Sequence, residues 1–294
     1  MKKLQLLGLI ALLGLPLVLQ LTPLEILKLK VFDSWIKDQG PSGYFTVLNI
    51  TEEDVRDEGG WPFPRERLAE IHMQLLERGA MGVGYVIAFS EPDRFGGDEV
   101  FANSLSMHPS ILAMFETDNQ QYPPTTGTVI LGDDIGGVML QGATQNVEIL
   151  RNSAYQGISS APIDVDGLTR RLPLLMRTPD GWISFVNTPS TTLQEMDVAD
   201  KFVIVGVTAN GVMPQLSTPA GLLEPHKIQA ALAESILIQD SPYIPDYSLA
   251  VELVALILGV VMMWAFISFL GITLGISLAV STMALTLFGG YTIV

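Results

Sequence analysis

A short acidic segment followed by two arginines contains the residues best suited to bind an ion. Asp164 and Asp166 alternate along the chain as the ligands of a calcium loop do, but the third oxygen ligand and the closing glutamate of such a loop are missing. We therefore interpret the segment as a turn between strands. Arg170 and Arg171 follow, and they either hold an anion or pair with aspartates of this acidic domain. The internal ion pair is the favoured interpretation.

Four further aspartates form a second candidate site, namely Asp93, Asp98, Asp133 and Asp134. They would gather carboxylates at one rim of a sheet, where open α/β sheets usually bind their ligands. The alternative is that Asp98 caps a helix and that the others are solvated loop charges.

A rigid aromatic corner before a helix is the most distinctive string of the chain, Trp61-Pro62-Phe63-Pro64-Arg65. Arg65 falls in the first helical turn, where a positive charge opposes the helix dipole, and such a charge predicts a specific partner. The partner is either a ligand, with Trp61 and Arg65 as binding residues, or a loop carboxylate. We favour a carboxylate, such as Asp54 or Asp57.

Signatures of common catalytic sites are absent from the sequence. It has no G-x-S-x-G, H-E-x-x-H or phosphate-loop pattern, and without cysteine it has no thiol catalysis, disulfide or iron–sulfur cluster. Its histidines, His72, His108 and His226, are isolated, and His72 is expected at the surface or boundary of an amphipathic helix. We predict no enzyme, no cofactor and no metal. A metal site assembled in space from histidines and carboxylates is the alternative.

The hydrophobic pattern places these residues on alternating strands and helices. It predicts a stalk helix from Leu24 to Trp35, strands at 44–50, 81–89 and 111–115, and helices at 65–78 and from Asp98. Further strands are predicted at 128–131, 172–178, 182–187 and 202–207, with a turn at 179–181 and a closing helix at 225–239. Successive strand, helix, strand units predict an α/β fold with a mixed, partly parallel sheet flanked by helices.

Both ends of the chain are apolar and almost free of charge. Residues 4–21 carry no charged side chain, and residues 248–294 carry only Glu252, which we expect to reach the membrane interface rather than to face a partner. We predict an N-terminal transmembrane anchor over residues 1–21 and a transmembrane helical hairpin over 248–294. A cleaved signal peptide is the alternative for the first segment. Lys2 and Lys3 favour a cytoplasmic N-terminus, so residues 22–247 would lie on the outer side of the membrane.

The domain between these segments is strongly acidic. Without Lys2, Lys3 and Glu252, the totals of 16 basic and 31 acidic residues leave 14 and 30, a net charge of −16 over residues 22–247. Such a domain repels nucleic acids and anionic lipid headgroups. Binding to either is therefore excluded as the main activity.

Four groups of strings carry a resemblance to a known family. They are Gly59-Gly60-Trp61-Pro62-Phe63-Pro64-Arg65, Gly79-Ala80 with Phe89-Ser90-Glu91-Pro92-Asp93, Asp164-Val165-Asp166-Gly167 with Arg170-Arg171, and Val205-Gly206-Val207-Thr208-Ala209 with Thr218-Pro219. Together, in this order between residues 24 and 240, they resemble the second family of CHASE domains. These are extracellular sensory modules associated with bacterial cyclases and histidine kinases.

The resemblance implies a multi-pass sensor in the bacterial inner membrane, with one span before the extracytoplasmic domain and several after it. It also implies a homodimer and a cytoplasmic cyclase or kinase output that is absent from this chain. The alternatives from other classes are a metal-dependent hydrolase on the periplasmic face and a membrane scaffold or assembly subunit.

Three positions depart from the family pattern. Residues 85–88 contain no acidic residue, Asn49-Ile50-Thr51 stands where an Ile-Asp pair is usual, and Glu224-Pro225-His226 replaces a Pro-Gly string. If the acidic positions belong to a ligand site of the family, the ligand of this chain differs or is lost.

Overall fold

The computed structural model describes residues 19, 21–35, 42–123, 138–173, 175–179, 181–184, 198–239, 247–270 and 277. The chain divides into two compact units, one formed by Met1–Gln39 with Pro242–Val294 and the other by Gly40–Ser241. The helices and strands, in chain order, are α1 (Thr22–Trp35), β1 (Phe45–Ile50), α2 (Glu52–Asp57), α3 (Arg65–Glu77), β2 (Gly82–Tyr85), α4 (Asp98–Leu105), β3 (Ser110–Glu116), β4 (Ala143–Thr144), α5 (Glu148–Arg151), β5 (Tyr155–Ile158), β6 (Leu175–Thr178), β7 (Gly181–Ser184), β8 (Phe202–Val207), β9 (Leu216–Thr218), β10 (Gly221–Leu223), α6 (Pro225–Leu237) and α7 (Ser248–Leu270).

The first unit contains α1 and α7. Glu252 of α7 has an ionic partner in α1, because its Oε1 lies 2.6 Å from Nζ of Lys28. We expected Glu252 to reach a membrane interface rather than face a partner, and nothing in the sequence connects two residues so far apart in the chain.

Two membrane spans were expected in this unit. Among the described residues, none of the helices has both the length and the hydropathy needed to cross a bilayer. Residues 1–18 and 20 of the predicted anchor, and residues 271–294 of the predicted hairpin apart from Ser277, lie outside the described residues.

The second unit is built on a sheet whose five main strands are parallel. Their spatial order is β1, β8, β2, β3 and β5, and the short strand β4 pairs antiparallel with β3. In the middle of the sheet, Ile204 of β8 lies opposite Val47 of β1 on one side and Gly84 of β2 on the other. The expected α/β fold with a mixed, partly parallel sheet is confirmed.

Side chains of each strand alternate between two apolar layers. Leu48 and Val205 face the layer that contains Leu68 of α3 and further residues of α4 and α5. Val47 faces the opposite layer with Ala230 of α6. The helices that follow β1, β2 and β3 thus cover one face, whereas α6, which follows β8, covers the other. In open α/β sheets such a change of side marks the place where ligands bind, at the carboxyl ends of the strands.

Most predicted elements in the described ranges are confirmed, with shifted ends. β2 covers only four residues of the segment predicted at 81–89, although the N–H of Val86 still donates to the backbone oxygen of Val205 at 2.9 Å. β6 and β7 form the expected antiparallel hairpin. The strand predicted at 128–131 lies outside the described residues. The pattern did not predict α2, α5, β4, β5, β9 and β10. The two helices have at most six residues, too few to show a helical period, and the four strands have at most four.

The expectation for His72 is wrong, because this residue is completely buried. Its Nδ1 lies 3.1 Å from the hydroxyl oxygen of Tyr85 on β2. His72 lies at the edge of the apolar stripe of α3. Helix α4 packs beside α3 and covers this edge, so His72 is buried together with the stripe. Burial lowers the pKa of His72 to about 4, and the neighbouring His108 adds to this effect.

Candidate functional site

The connections at the carboxyl ends of the parallel strands contain every residue that the sequence proposed as ligand-binding and that the structure describes. Trp61 and Arg65 lie between β1 and the start of α3. Asp93 and Asp98 follow β2, and the acidic turn with its two arginines follows β5. This edge is where an open α/β sheet binds its ligands.

Arg65 is held by a set of contacts within the domain. Its backbone N–H donates to Oδ2 of Asp93 at 3.1 Å, and its Nη2 donates to the backbone oxygen of Glu91 at 3.3 Å. Its Nε lies 3.4 Å from Oδ1 of Asp98. The guanidinium also stacks on an aromatic face, since its Cζ lies 4.5 Å from the centre of the Phe89 ring. The favoured explanation for this helix-start arginine, an internal carboxylate partner, is confirmed.

The two carboxylates named as candidates are the wrong ones, because both are engaged locally. Asp54 closes a capping box at the start of α2, where the N–H of Thr51 donates to its Oδ2 at 2.7 Å. Asp57 lies beside Arg56, with 3.4 Å between Oδ1 and Nε. The T-x-x-D spacing of the capping box is a signal in the sequence that would have removed Asp54 from consideration.

Asp93 and Asp98 tie the loop after β2 to the start of α3. Oδ2 of Asp93 accepts from the N–H of Arg65 and, at 3.0 Å, from that of Gly97. Oδ2 of Asp98 accepts from the N–H of Asp93 at 2.8 Å. The expectation that Asp98 caps its helix is wrong, since Gly97 is the N-cap of α4 and Asp98 turns back to the loop. Asp133 and Asp134 lie outside the described residues.

Burial and polar contacts have opposite effects on the pKa values of this cluster. Burial lowers the pKa of Arg65, against the opposite effect of Asp98 and Asp93. For Asp93, burial raises the pKa, but the N–H donors of Gly97, Arg65 and Phe95 together bring it below its ordinary value. In the described part of the chain, Nε of Arg65 and Oδ1 of Asp98 find no hydrogen-bond partner. These two atoms are buried and face each other 3.4 Å apart as an ion pair, so the pair holds the start of α3 against the start of α4.

Trp61 forms a wall of the same corner. Its ring centre lies 5.3 Å from that of Phe63, which is buried in the main core. Trp61 itself is only partly buried. An aromatic ring with one face anchored and part of its surface exposed is a common element of ligand sites.

The acidic turn after β5 holds both of its arginines. Nη1 of Arg170 lies 3.2 Å from Oδ2 of Asp164 and 2.8 Å from Oδ1 of Asp166, and Nη2 lies 2.6 Å from Oδ2 of Asp166. Arg171 pairs with Asp164, with 2.5 Å between Nη2 and Oδ1. Gly167 has a φ of 85°, which favours glycine at this turn. The favoured internal ion pair and the turn are confirmed.

These contacts fix the charge state of the turn. The hydrogen bonds from Arg170 lower the pKa of Asp166 to about 2, so the carboxylate is ionised at neutral pH. Two arginines face two aspartates, and an added anion would have to displace a carboxylate. Binding of a ligand by Asp164, Asp166, Arg170 and Arg171 stays a prediction.

A histidine, an asparagine and a glycine form a third group that the sequence did not connect. Nε2 of His226, at the start of α6, lies 2.8 Å from Oδ1 of Asn49 near the end of β1. The histidine ring rests on the backbone of Gly206 in β8, where an added Cβ would lie 2.1 Å from Cγ of His226. Asn49 and His226 are two of the positions that depart from the family pattern, and the structure shows that they contact each other.

This group predicts that acid destabilises the domain. Burial lowers the pKa of His226 to about 4, against an ordinary value of 6.5. Between pH 6.5 and 4, the unfolded chain therefore binds a proton at His226 that the folded chain does not bind. The free energy of unfolding falls as the pH is lowered through this window. The shift corresponds to about 3 kcal/mol of unfolding free energy by pH 4.

The measurement is thermal unfolding of the full chain in detergent micelles from pH 7 to pH 4, compared with His226→Gln. Both proteins retain His72, so the difference between the two pH profiles isolates His226. We expect a flatter profile for His226→Gln, and parallel profiles would contradict the assignment.

A metal centre was the alternative for the carboxylates. Across the described ranges, no three or more histidine, aspartate and glutamate side chains are grouped so that they could hold a metal ion. A small cleft of about 20 Å³ lies on the face of the sheet beside α6, lined among others by Gly84, Ala113, Gly157 and Gln229. It presents no charged group, so the edge with Arg65 remains the better candidate for a polar ligand.

Comparison with known proteins agrees with the strings at this edge. A family model described as the CHASE2 domain matches residues 8–194, which include the Arg65 cluster and the acidic turn. No curated protein and no solved structure matches the chain. Since the match covers more than half of the 294 residues, the chain belongs to the CHASE2 domain family, whose members are sensory, non-catalytic domains of signal-transduction proteins.

Proposed function

We propose that this chain is the membrane-anchored, extracytoplasmic input of a bacterial signal-transduction protein. A stimulus would act at the carboxyl edge of the sheet and be passed through transmembrane helices to a cyclase or kinase output outside residues 1–294. The observation that carries the proposal is the match to a family of sensory domains over residues 8–194.

The start and the end of the second unit are joined, which supports the coupling step. The N–H of Ser42, just before β1, donates to Oε1 of Glu234 in α6, and the Ser42 hydroxyl donates to Oε2 of the same carboxylate at 2.5 Å. The carboxylate is buried. A shift of α6 against the sheet would therefore displace the segment that leads towards α1 as well as the segment that leads towards α7.

The coupling requires two conformations with different ligand affinity. The His226 group suits this requirement, because α6 begins at the candidate ligand edge with His226 and reaches Glu234 near its other end. A ligand that moves the first turn of α6 would move both connections together.

The proposal includes membrane spans in the segments 1–21 and 248–294, a homodimer, and an inner-membrane location. Pairing of Lys28 with Glu252 fits helices at a membrane border, where a charged group needs a partner. Dimerisation is proposed because cyclases and histidine kinases attached to such sensors work as dimers.

The test is a fusion of a cytoplasmic cyclase reporter behind a fourth span added after Val294, in bacterial cells. Cell extracts, single ions and pH steps are applied outside, and reporter output is measured. We expect at least one condition to change the output, and Glu234→Gln to reduce the response because it removes one acceptor from the Ser42 contact. Glu70→Gln, the same substitution at a 63% exposed side chain of α3, serves as the expression-matched control. If no condition changes the output of the unmodified fusion, the chain is a scaffold rather than a sensor.

A further inference from the structure

We propose that the amino edge of the parallel sheet docks on the surface of the lipid bilayer, an inference that rests on the proposed function. Large apolar side chains emerge where the chain enters four of the parallel strands and where α6 ends. They are Tyr44, Met81, Met107, Phe202, Leu237 and Ile238.

These side chains are in contact with solvent, with exposed fractions of 60% for Met107, 59% for Tyr44 and 46% for Met81. The strand register places Phe202 beside the residues that follow Tyr44 and Met81 in the chain. Phe45 lies opposite Phe202, and Gly82 lies opposite Phe202 on the other side. Several large apolar side chains exposed at one edge of an acidic domain indicate an interaction surface rather than a chance exposure.

The end of α6 extends the row. The helix follows a parallel strand and packs along β1 and β8, so it returns to the edge where those strands begin. Leu237 and Ile238 are exposed there, and the hydrogen bond between Ser42 and Glu234 fixes this end of α6 beside the start of β1.

The short connections to α1 and α7 favour the bilayer as the partner of this edge. Six residues separate Trp35 of α1 from Ser42, and seven separate Gln239 from Tyr247 beside α7. Fully extended, neither connection reaches further than about 30 Å. Two such short tethers, starting side by side at this edge, keep it close to any bilayer that the flanking apolar segments enter.

The charge and the side-chain chemistry of the amino edge also favour lipid as its partner. The opposite edge exposes the acidic residues Glu52, Glu53 and Glu91, which anionic headgroups repel. On the amino edge, the exposed acids Glu77 and Asp200 are accompanied by Arg78 and Lys201. Tyrosine and other amphipathic or flexible apolar side chains are favoured at the headgroup boundary.

The experiment uses the absence of cysteine from the full chain. Met81→Cys and Met107→Cys are each labelled with bimane, as is Ser90→Cys, an exposed site on the opposite edge that serves as the control. The proteins are reconstituted in phosphatidylcholine vesicles with and without brominated acyl chains. We expect bromolipid to reduce the fluorescence at positions 81 and 107 about twofold, as for a group at the headgroup boundary, and to leave position 90 unchanged.

Two results would overturn the docking surface. Either the labels at 81 and 107 are quenched by aqueous iodide and not by bromolipid, or they are shielded from both quenchers and labels on two copies quench each other, which would indicate a dimer face. Flotation of the vesicles separates this inference from the proposed function. A chain that does not float with lipid contradicts membrane anchoring, whereas a floating chain with water-exposed labels contradicts only the docking.

Discussion

Replacing Arg170 with methionine is expected to lower the free energy of unfolding by about 3–5 kcal/mol, which is the usual effect of removing one partner from a buried ion pair. The Arg170 side chain is only 1% exposed, and it binds the carboxylates of both Asp164 and Asp166. Methionine fills a similar volume but leaves the carboxylate of Asp166 without its counter-charge, whereas Asp164 keeps the exposed Arg171 as a partner. The measurement is urea unfolding of the full chain in detergent micelles, followed by circular dichroism.

The adjacent residue supplies a matched control. Arg171 also pairs with Asp164, but its side chain is 56% exposed. An exposed pair contributes at most about 1 kcal/mol, so Arg171→Met should unfold close to the unmodified protein. Equal effects of the two substitutions would show that Arg170 is not the centre of the turn.

The second large effect is expected for Gly206→Ala, which should cost about 3 kcal/mol or more because the new methyl group overlaps its neighbours. A Cβ at this position would lie 2.1 Å from Cγ and 2.6 Å from Cβ of His226. Neither atom is the free end of a flexible chain, so α6 itself would have to move away from β8. The hydrogen bond between His226 and Asn49 would be lost at the same time.

Gly84→Ala is the control, since Gly84 lies on the neighbouring strand β2 opposite Ile204. Its added Cβ would lie 3.2 Å from Cδ1 of Ile204, the flexible end of a side chain that can yield. We expect a thermal midpoint close to that of the unmodified protein for Gly84→Ala and a clearly lower one for Gly206→Ala. The reverse order would contradict the placement of the His226 ring.

The sequence predicts the strands and long helices well because their apolar periods are long enough to be recognised. β1, β8, α3 and α6 all fall within a few residues of the predicted segments. The Asp164 turn and its arginines were also predicted, since their partners lie within seven residues of each other. Local spacing is sufficient for such contacts.

The remaining parts of the site depend on contacts between distant segments. Asp98 binds the loop before it instead of capping α4, and Arg65 therefore finds its partner 33 positions away. His226 and Asn49 lie 177 positions apart, and only the parallel order of β1 beside β8 brings them together. No local pattern encodes that order.

The central claim is that the acidic domain lies across the membrane from the N-terminal lysines. Cysteine labelling tests it most directly, because the chain has no cysteine of its own. Ser90→Cys and Lys2→Cys are expressed separately in bacterial cells and treated with a maleimide that cannot cross the inner membrane. We predict labelling of position 90 in intact cells and of position 2 only after the inner membrane is opened. Labelling of position 2 in intact cells, with position 90 protected until lysis, would contradict the account.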